Sequence, residues 1–319
     1  MGVARGHGKL LLFGEHAAVY GHPAIGIQLE EYLEVSVEPG EHRWVLPDLP
    51  PRESELVRKA LAALEGAPEG GRIGITGNLP MSVGFGSSAA FCTALVRAAG
   101  GVTAADAGAA DDREALWGEA HRIEHVFHGT PSGIDTGLSV YPGASIVYPD
   151  PPALPRRQPA RLPHAALLVG AIPRTSTTAQ LVAGIRAMRE QDPAAVDHSL
   201  HRLGRLSQAA ATPESCPDAN VLGRIADQAQ TILRTLGLST TELDEVVTAL
   251  HDAGALGAKL SGAGGGGAFY GVFSSRIDAQ RAVSVLEKRM AQQAIEVVCL
   301  RPYEIGSAGP EDTGNRSST

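Results

Sequence analysis

The sequence predicts an α+β protein of two domains, and three observations carry that reading. A chain of 319 residues is long enough for two domains, one large domain with insertions being the alternative. Strand and helix signals come in runs instead of the strict alternation of a doubly wound sheet. Finally, PDPPALPRRQPARLP, residues 149–163, is the strongest loop signal in the chain. It divides the chain into residues 1–162 and 163–306, followed by a polar tail, 307–319, expected to be disordered.

Taken in order, Lys9 to Phe13 is a short apolar strand that runs into the turn Gly14-Glu15-His16, and Tyr32 to Val37 is a second strand. Pro47 to Pro51 reads as a loop, with a helix near Glu53 to Leu64. Ile73 to Gly77 is another strand and leads into a glycine-rich loop, Pro80 to Ser88. From Ser87 the alanine-rich SSAAFCTALVRAAG reads as a helix ended by Gly100-Gly101. Asp111 and Glu114 are spaced as a capping box for the next helix. There Leu116, Ala120, Ile123 and Phe127 form one apolar stripe, with Glu124 at its margin and Gly129 as its end. Pro131 to Asp135 reads as a tight loop presenting a carboxylate.

Beyond the proline-rich break, a strand at Ala165 to Val169 precedes a loop holding Thr175 to Thr178. Helices are expected around 180–190, 195–211, 217–236 and 242–253. Strands at Phe269 to Phe273 and Ile295 to Leu300 flank a last helix near 277–292.

Composition narrows the function. A hydrophobic share of 43% supports a sizeable core, and a net charge of −8 argues against nucleic acid or an anionic membrane as partner. No apolar run approaches the ~18 residues of a membrane helix, and no signal segment is evident. The three cysteines form neither a disulfide framework nor a zinc spacing, so a reducing, cytoplasmic setting is expected. Lysine is scarce: Lys9, Lys59, Lys259 and Lys288 are the only ones.

Four stretches could carry chemistry. In LPMSVGFGSSAA, 79–90, glycines and serines meet the start of a helix, where free backbone N–H groups and the helix dipole converge on an anion. Gly84-x-Gly86-x-x-Ala89 also fits a relaxed dinucleotide fingerprint, but it does not follow a first strand. In KLSGAGGGGAFYGVF, 259–273, the glycines allow close backbone approach to a ligand, and Lys259 adds a cation; a hinge is the plain alternative. Lys9 stands beside the GEH turn, and Asp135 ends PSGID, where it is either a turn cap or a general base. Separately, His121, Glu124 and His125 spell H-x-x-E-H, the inverted zinc-hydrolase pattern. That reading needs a third ligand and leaves both glycine loops unexplained.

Together these motifs resemble the GHMP kinases, the family of galactose, homoserine, mevalonate and phosphomevalonate kinases. Pro80-x-x-x-Gly84-Phe85-Gly86-Ser87-Ser88-Ala89 is similar to the family's phosphate loop, P-x-x-x-G-L-G-S-S-A, with Val83 and Phe85 in place of a small residue and leucine. Lys259 to Gly267 is similar to its C-terminal glycine motif, and the resemblance runs from Lys9 to Phe273 in the family's order. KLLLFGEHAAVYG, HGTPSGIDTG and IPRTSTTAQLVAGIR are most similar to the branch acting on mevalonate; Ala18 stands where galactokinases carry an aspartate.

The resemblance implies a two-domain fold with an S5-like N-terminal half, a ferredoxin-like C-terminal half and the active site in the cleft between them. It implies transfer of the ATP γ-phosphoryl group to the 5-hydroxyl of mevalonate, another GHMP substrate being the alternative. The phosphate loop, Pro80 and Val83 to Ala89, would hold ATP; Ser88 and Glu124 would ligate Mg2+; Asp135 would be the base, with Lys9 beside it. Glu15, His16, Ser132, Thr178 and Gly264 would shape the mevalonate side. The partners implied are these small molecules, and a homodimer is compatible with them.

Overall fold

The structure, a computed structural model, describes residues 2–40, 42–66, 69–100, 110–151, 153–216 and 218–306. The side chain of Asp111 and the tail 307–319, on which two expectations rest, lie outside the described residues.

Two long strands organise the first half. β1 (Gly2–Phe13) and β2 (Ala24–Gly40) pair antiparallel, from Gly2 against Val37 to Phe13 against Ile25. Each alternates buried and exposed positions at one end and is buried on both faces at the other. Because the pairing is antiparallel, the doubly buried ends coincide, and there the second half of the molecule packs: Ser261 Oγ donates to Leu11 O at 2.7 Å and Tyr270 Oη to Leu12 O at 2.8 Å. Fully apolar strand ends of this kind belong to sheet covered on both sides. β2 runs well beyond the expected Tyr32 to Val37 because the other edge serves two partners: β5 (Ala144–Tyr148) pairs with its start and β4 (Gly70–Gly77) with its end. β3 (Trp44–Val45) and β6 (Arg156–Pro159) close the outer edges. β6 falls inside the segment expected to be loop; its one proline, Pro159, is its last residue, and an edge strand tolerates it.

α1 (Pro51–Ala63), α2 (Ser87–Ala99), α3 (Ala110–His128) and α4 (Ile134–Val140) accompany this sheet, α2 lying across β1 and β2. The expected stripe of α3 faces inward, with Ala120 and Ile123 fully buried.

The second sheet is antiparallel throughout, in the order β10 (Cys299–Ile305), β7 (Ala165–Ile172), β9 (Gly267–Phe273), β8 (Gly257–Leu260). Numbered along the chain this is 4-1-3-2, the ferredoxin-like order. Between its first two strands come α5 (Thr178–Gln191), α6 (Pro193–Ala211), α7 (Ala219–Thr235) and α8 (Thr241–Asp252); α9 (Arg276–Gln292) precedes β10. The last strand overlaps the expected Ile295 to Leu300 only at Cys299 and Leu300 and runs on to Ile305. The chain leaves α9 through Ala294, at φ +55°, and reaches β7 only where Val298 N–H meets Ala171 O at 2.8 Å. Arg301, Pro302 and Glu304 hide the strand from a hydrophobicity reading, and an edge position tolerates all three. One hydrophobic cluster spans both sheets, from Leu10 and Phe13 to Leu167 and Phe273.

Candidate active site

β1 delivers Lys9. Its pairing with β2 is irregular between His7 and Lys9, so the Lys9 N–H leaves the ladder and donates to Phe85 O in the glycine loop at 2.9 Å. That bond ties strand and loop together. The side chain is 4% exposed, and Nζ stands 3.2 Å from Asp135 Oδ2. Gly86, at φ +72°, is required twice over: a left-handed turn opens α2, and a Cβ there would stand 2.7 Å from Lys9 Cγ.

Asp135 lies in the first turn of α4, not in an open loop. The carbonyl of Gly133, the residue before α4, accepts from Trp117 Nε1 at 2.9 Å and Thr136 Oγ1 at 3.1 Å, which holds the turn rigidly. The Asp135 side chain keeps 39% of its surface open, so the Lys9–Asp135 pair borders solvent.

Glu124 was expected at the margin of its helix stripe; it is 2% exposed, and its Oε2 has no hydrogen-bond partner. Burial first, and then the charge of Asp135, raise its carboxyl to about 8, against the pull of Lys9 and the hydroxyls of Thr136 and Ser88. Two carboxyls, a lysine and two hydroxyls therefore converge where α2, α3, α4 and β1 meet.

The glycine loop feeds α2, whose first residue is Ser87 and which no side chain caps, so its first-turn N–H groups are free for a ligand. Gly84, Gly86, Ser87, Ser88 and Pro80 are partly open, whereas the side chains of Val83, Phe85 and Ala89 are buried. Those three expected ATP contacts are thus limited to backbone, because the apolar side chains anchor the loop to the core.

The acceptor-side residues divide. Ser132 is exposed, and Thr178, the first residue of α5, accepts from Arg174 Nη2 at 3.1 Å. Arg174 lies within IPRTSTTAQ but was not singled out; it is half-buried and its charge interacts with Asp135. His16 is buried at φ +57°, with Nε2 2.8 Å from Ala263 O. Glu15 is corrected: fully enclosed, it is ion-paired with Lys259, and neither side chain reaches a surface. Lys259 is corrected with it, for a side chain turned inward toward Glu15 and Leu260 O cannot meet a phosphate. Gly264 is also buried; at φ +86° a Cβ would stand 2.3 Å from Leu238 O, so backbone packing explains this glycine without a ligand. A cavity of about 720 Å³ between β3 and α1 is lined by residues such as Trp44, Asp48 and Arg58 and by none of the groups above.

The zinc reading fails on geometry. The His121 and His125 rings lie 5.1 Å apart on the flank of α3, while Glu124 is buried beside Ser88 and Asp135. Among the described residues no three His, Cys, Asp or Glu are grouped to hold a metal ion. His128, at the end of the same helix, does reach the site: its Nε2 is 2.9 Å from Ser88 Oγ.

Family models described as the N-terminal domain and the C-terminal region of GHMP kinases match residues 55–143 and 185–292. A mevalonate kinase of Archaeoglobus fulgidus is 30% identical, the match covering 85% of this chain and 92% of that protein. One from Pyrococcus horikoshii is 31% identical, over 88% of this chain and 90% of that protein. The crystal structure of L. major mevalonate kinase in complex with R-mevalonate superposes with a TM-score of 0.76 at 24% identity, over 97% of both chains; at that identity the likeness concerns the fold alone. The chain belongs to the GHMP kinase family.

Proposed function

We propose that the protein transfers the γ-phosphoryl group of ATP to the 5-hydroxyl of mevalonate. One observation carries the chemistry: the Lys9–Asp135 pair borders solvent beside the uncapped start of α2. The mevalonate kinases it resembles at 30–31% identity supply the acceptor.

Phosphoryl transfer asks for positioning and charge neutralisation more than for covalent catalysis. The first-turn N–H groups of α2 hold the phosphates. Asp135 accepts the proton of the acceptor hydroxyl as its oxygen bonds to the γ-phosphorus, the bond to the β–γ bridging oxygen breaks, and ADP leaves with that electron pair. Lys9, with Nζ 3.2 Å from Asp135 Oδ2, places a positive charge beside the developing alkoxide. Ser132, Thr178 and Arg174 face the acceptor side, whereas Glu15, His16 and Gly264 act by holding the second glycine motif in place.

A magnesium ion fits this donor set. Glu124 Oε2 is a buried carboxylate oxygen without a partner, and the Ser88 hydroxyl is beside it. One carboxylate, one hydroxyl and phosphate oxygens suit a small hard cation that retains some of its water. Bound there, the ion would neutralise phosphate charge.

The same reading divides the chain near residue 162, into a phosphate-binding half and a ferredoxin-like half, and sets the reaction in the cytoplasm. The test is ATP consumption against mevalonate, phosphomevalonate, homoserine and galactose. Turnover on mevalonate is expected; turnover on only one of the other three overturns the assignment.

A further inference from the structure

His128 is the last residue of α3, four residues beyond Glu124, and is exposed, so it has no core to hold. It nevertheless makes one specific contact, Nε2 to Ser88 Oγ at 2.9 Å. A serine hydroxyl carries one proton and two lone pairs. If its oxygen is to face a cation, the proton must be turned away onto an acceptor. Glu124 also lies beside Ser88, but its oxygens would be directed at the same ion. The acceptor left free is the imidazole nitrogen.

We infer that His128 is a positioning residue: in the tautomer protonated at Nδ1, Nε2 accepts the Ser88 proton and aims the Ser88 oxygen at the metal. The inference rests on the magnesium reading of Ser88 and Glu124 given above. The same contact ties the end of α3 to the start of α2.

Mn2+ is the probe, its binding to the protein with a non-hydrolysable ATP analogue read by electron paramagnetic resonance. His128→Phe keeps a ring but no acceptor, and its Mn2+ affinity is expected to fall about 10- to 100-fold, the usual effect of losing a partner of a metal ligand. His128→Gln offers an amide oxygen at the reach of Nε2 and should bind Mn2+ nearly as wild type. Nucleotide binding in chelator should be unchanged in both. In a Ser88→Ala background His128→Phe should add no further loss. Wild-type Mn2+ affinity in His128→Phe, or equal weakness in His128→Gln, overturns the role of His128 while leaving the metal site standing. If Ser88→Ala and Glu124→Gln both bind Mn2+ as wild type, the metal reading itself falls.

Discussion

Lys9 and Lys259 are two of only four lysines, each facing a carboxylate, yet their surroundings are opposite. Lys9 meets an Asp135 that keeps 39% of its side chain open, whereas Lys259 and Glu15 are both at 0%. Around Lys259 stand the rings of Phe13 and Tyr270, with their centroids 5.7 and 5.3 Å from Nζ. Burial pushes the Glu15 carboxyl up and the Lys259 ammonium down, each opposed by the other's charge. The enclosed pair joins the two halves of the molecule and is closed to any substrate; the open pair can exchange a proton with one. Both pairs join a lysine to a carboxylate, and burial is what separates them: the enclosed one is structural, and the open one is the pair proposed to do chemistry.

The contrast breaks most visibly at Asp135. Asp135→Asn is expected to lower turnover by about 10²- to 10⁴-fold, the range of a lost general base, with nucleotide affinity and unfolding nearly unchanged. Lys259→Met should do the reverse, costing about 3–5 kcal/mol in denaturant unfolding because Glu15 is left buried and unpaired. Adding Glu15→Leu to it should recover much of that loss, since an apolar pair of similar volume suits the same surroundings. A Lys259→Met protein of wild-type stability would show that the pair holds nothing.

Much of the fold was legible in the sequence, because glycine loops and apolar stripes are local signals. The glycine loop, the start of α2 at Ser87 and the apolar stripe of α3 all follow from short-range pattern. What stayed hidden depends on long-range contact. Nothing near Lys259 reveals that Glu15, 244 positions away, closes over it. The exposed His128 looks like a solvated helix flank until α2 is brought against it. α4 is only seven residues long, with a glycine and three β-branched residues, so Asp135 reads as loop.

A smaller effect sharpens the chemical side. Because the Glu124 carboxyl is raised to about 8, it holds a proton at neutral pH that a magnesium ion bound as proposed would have to displace. Magnesium–nucleotide affinity should therefore weaken by up to about tenfold per pH unit below that value, with a proton released on binding. Calorimetry in buffers of different ionisation heat reads that proton, and Glu124→Gln should abolish its release. The smallest effect lies on the structural side: Ser261→Ala removes the bond to Leu11 O and should cost about 1 kcal/mol of stability, with turnover unchanged.

The central claim is that Lys9 and Asp135 work as one unit, and a double-mutant cycle on single-turnover phosphoryl transfer from ATP to mevalonate tests it most directly. With Lys9→Met and Asp135→Asn each slowing the step, the double variant should be no slower than the slower single one. Losses that multiply in the double variant would mean that the two groups act independently, and would contradict the pairing.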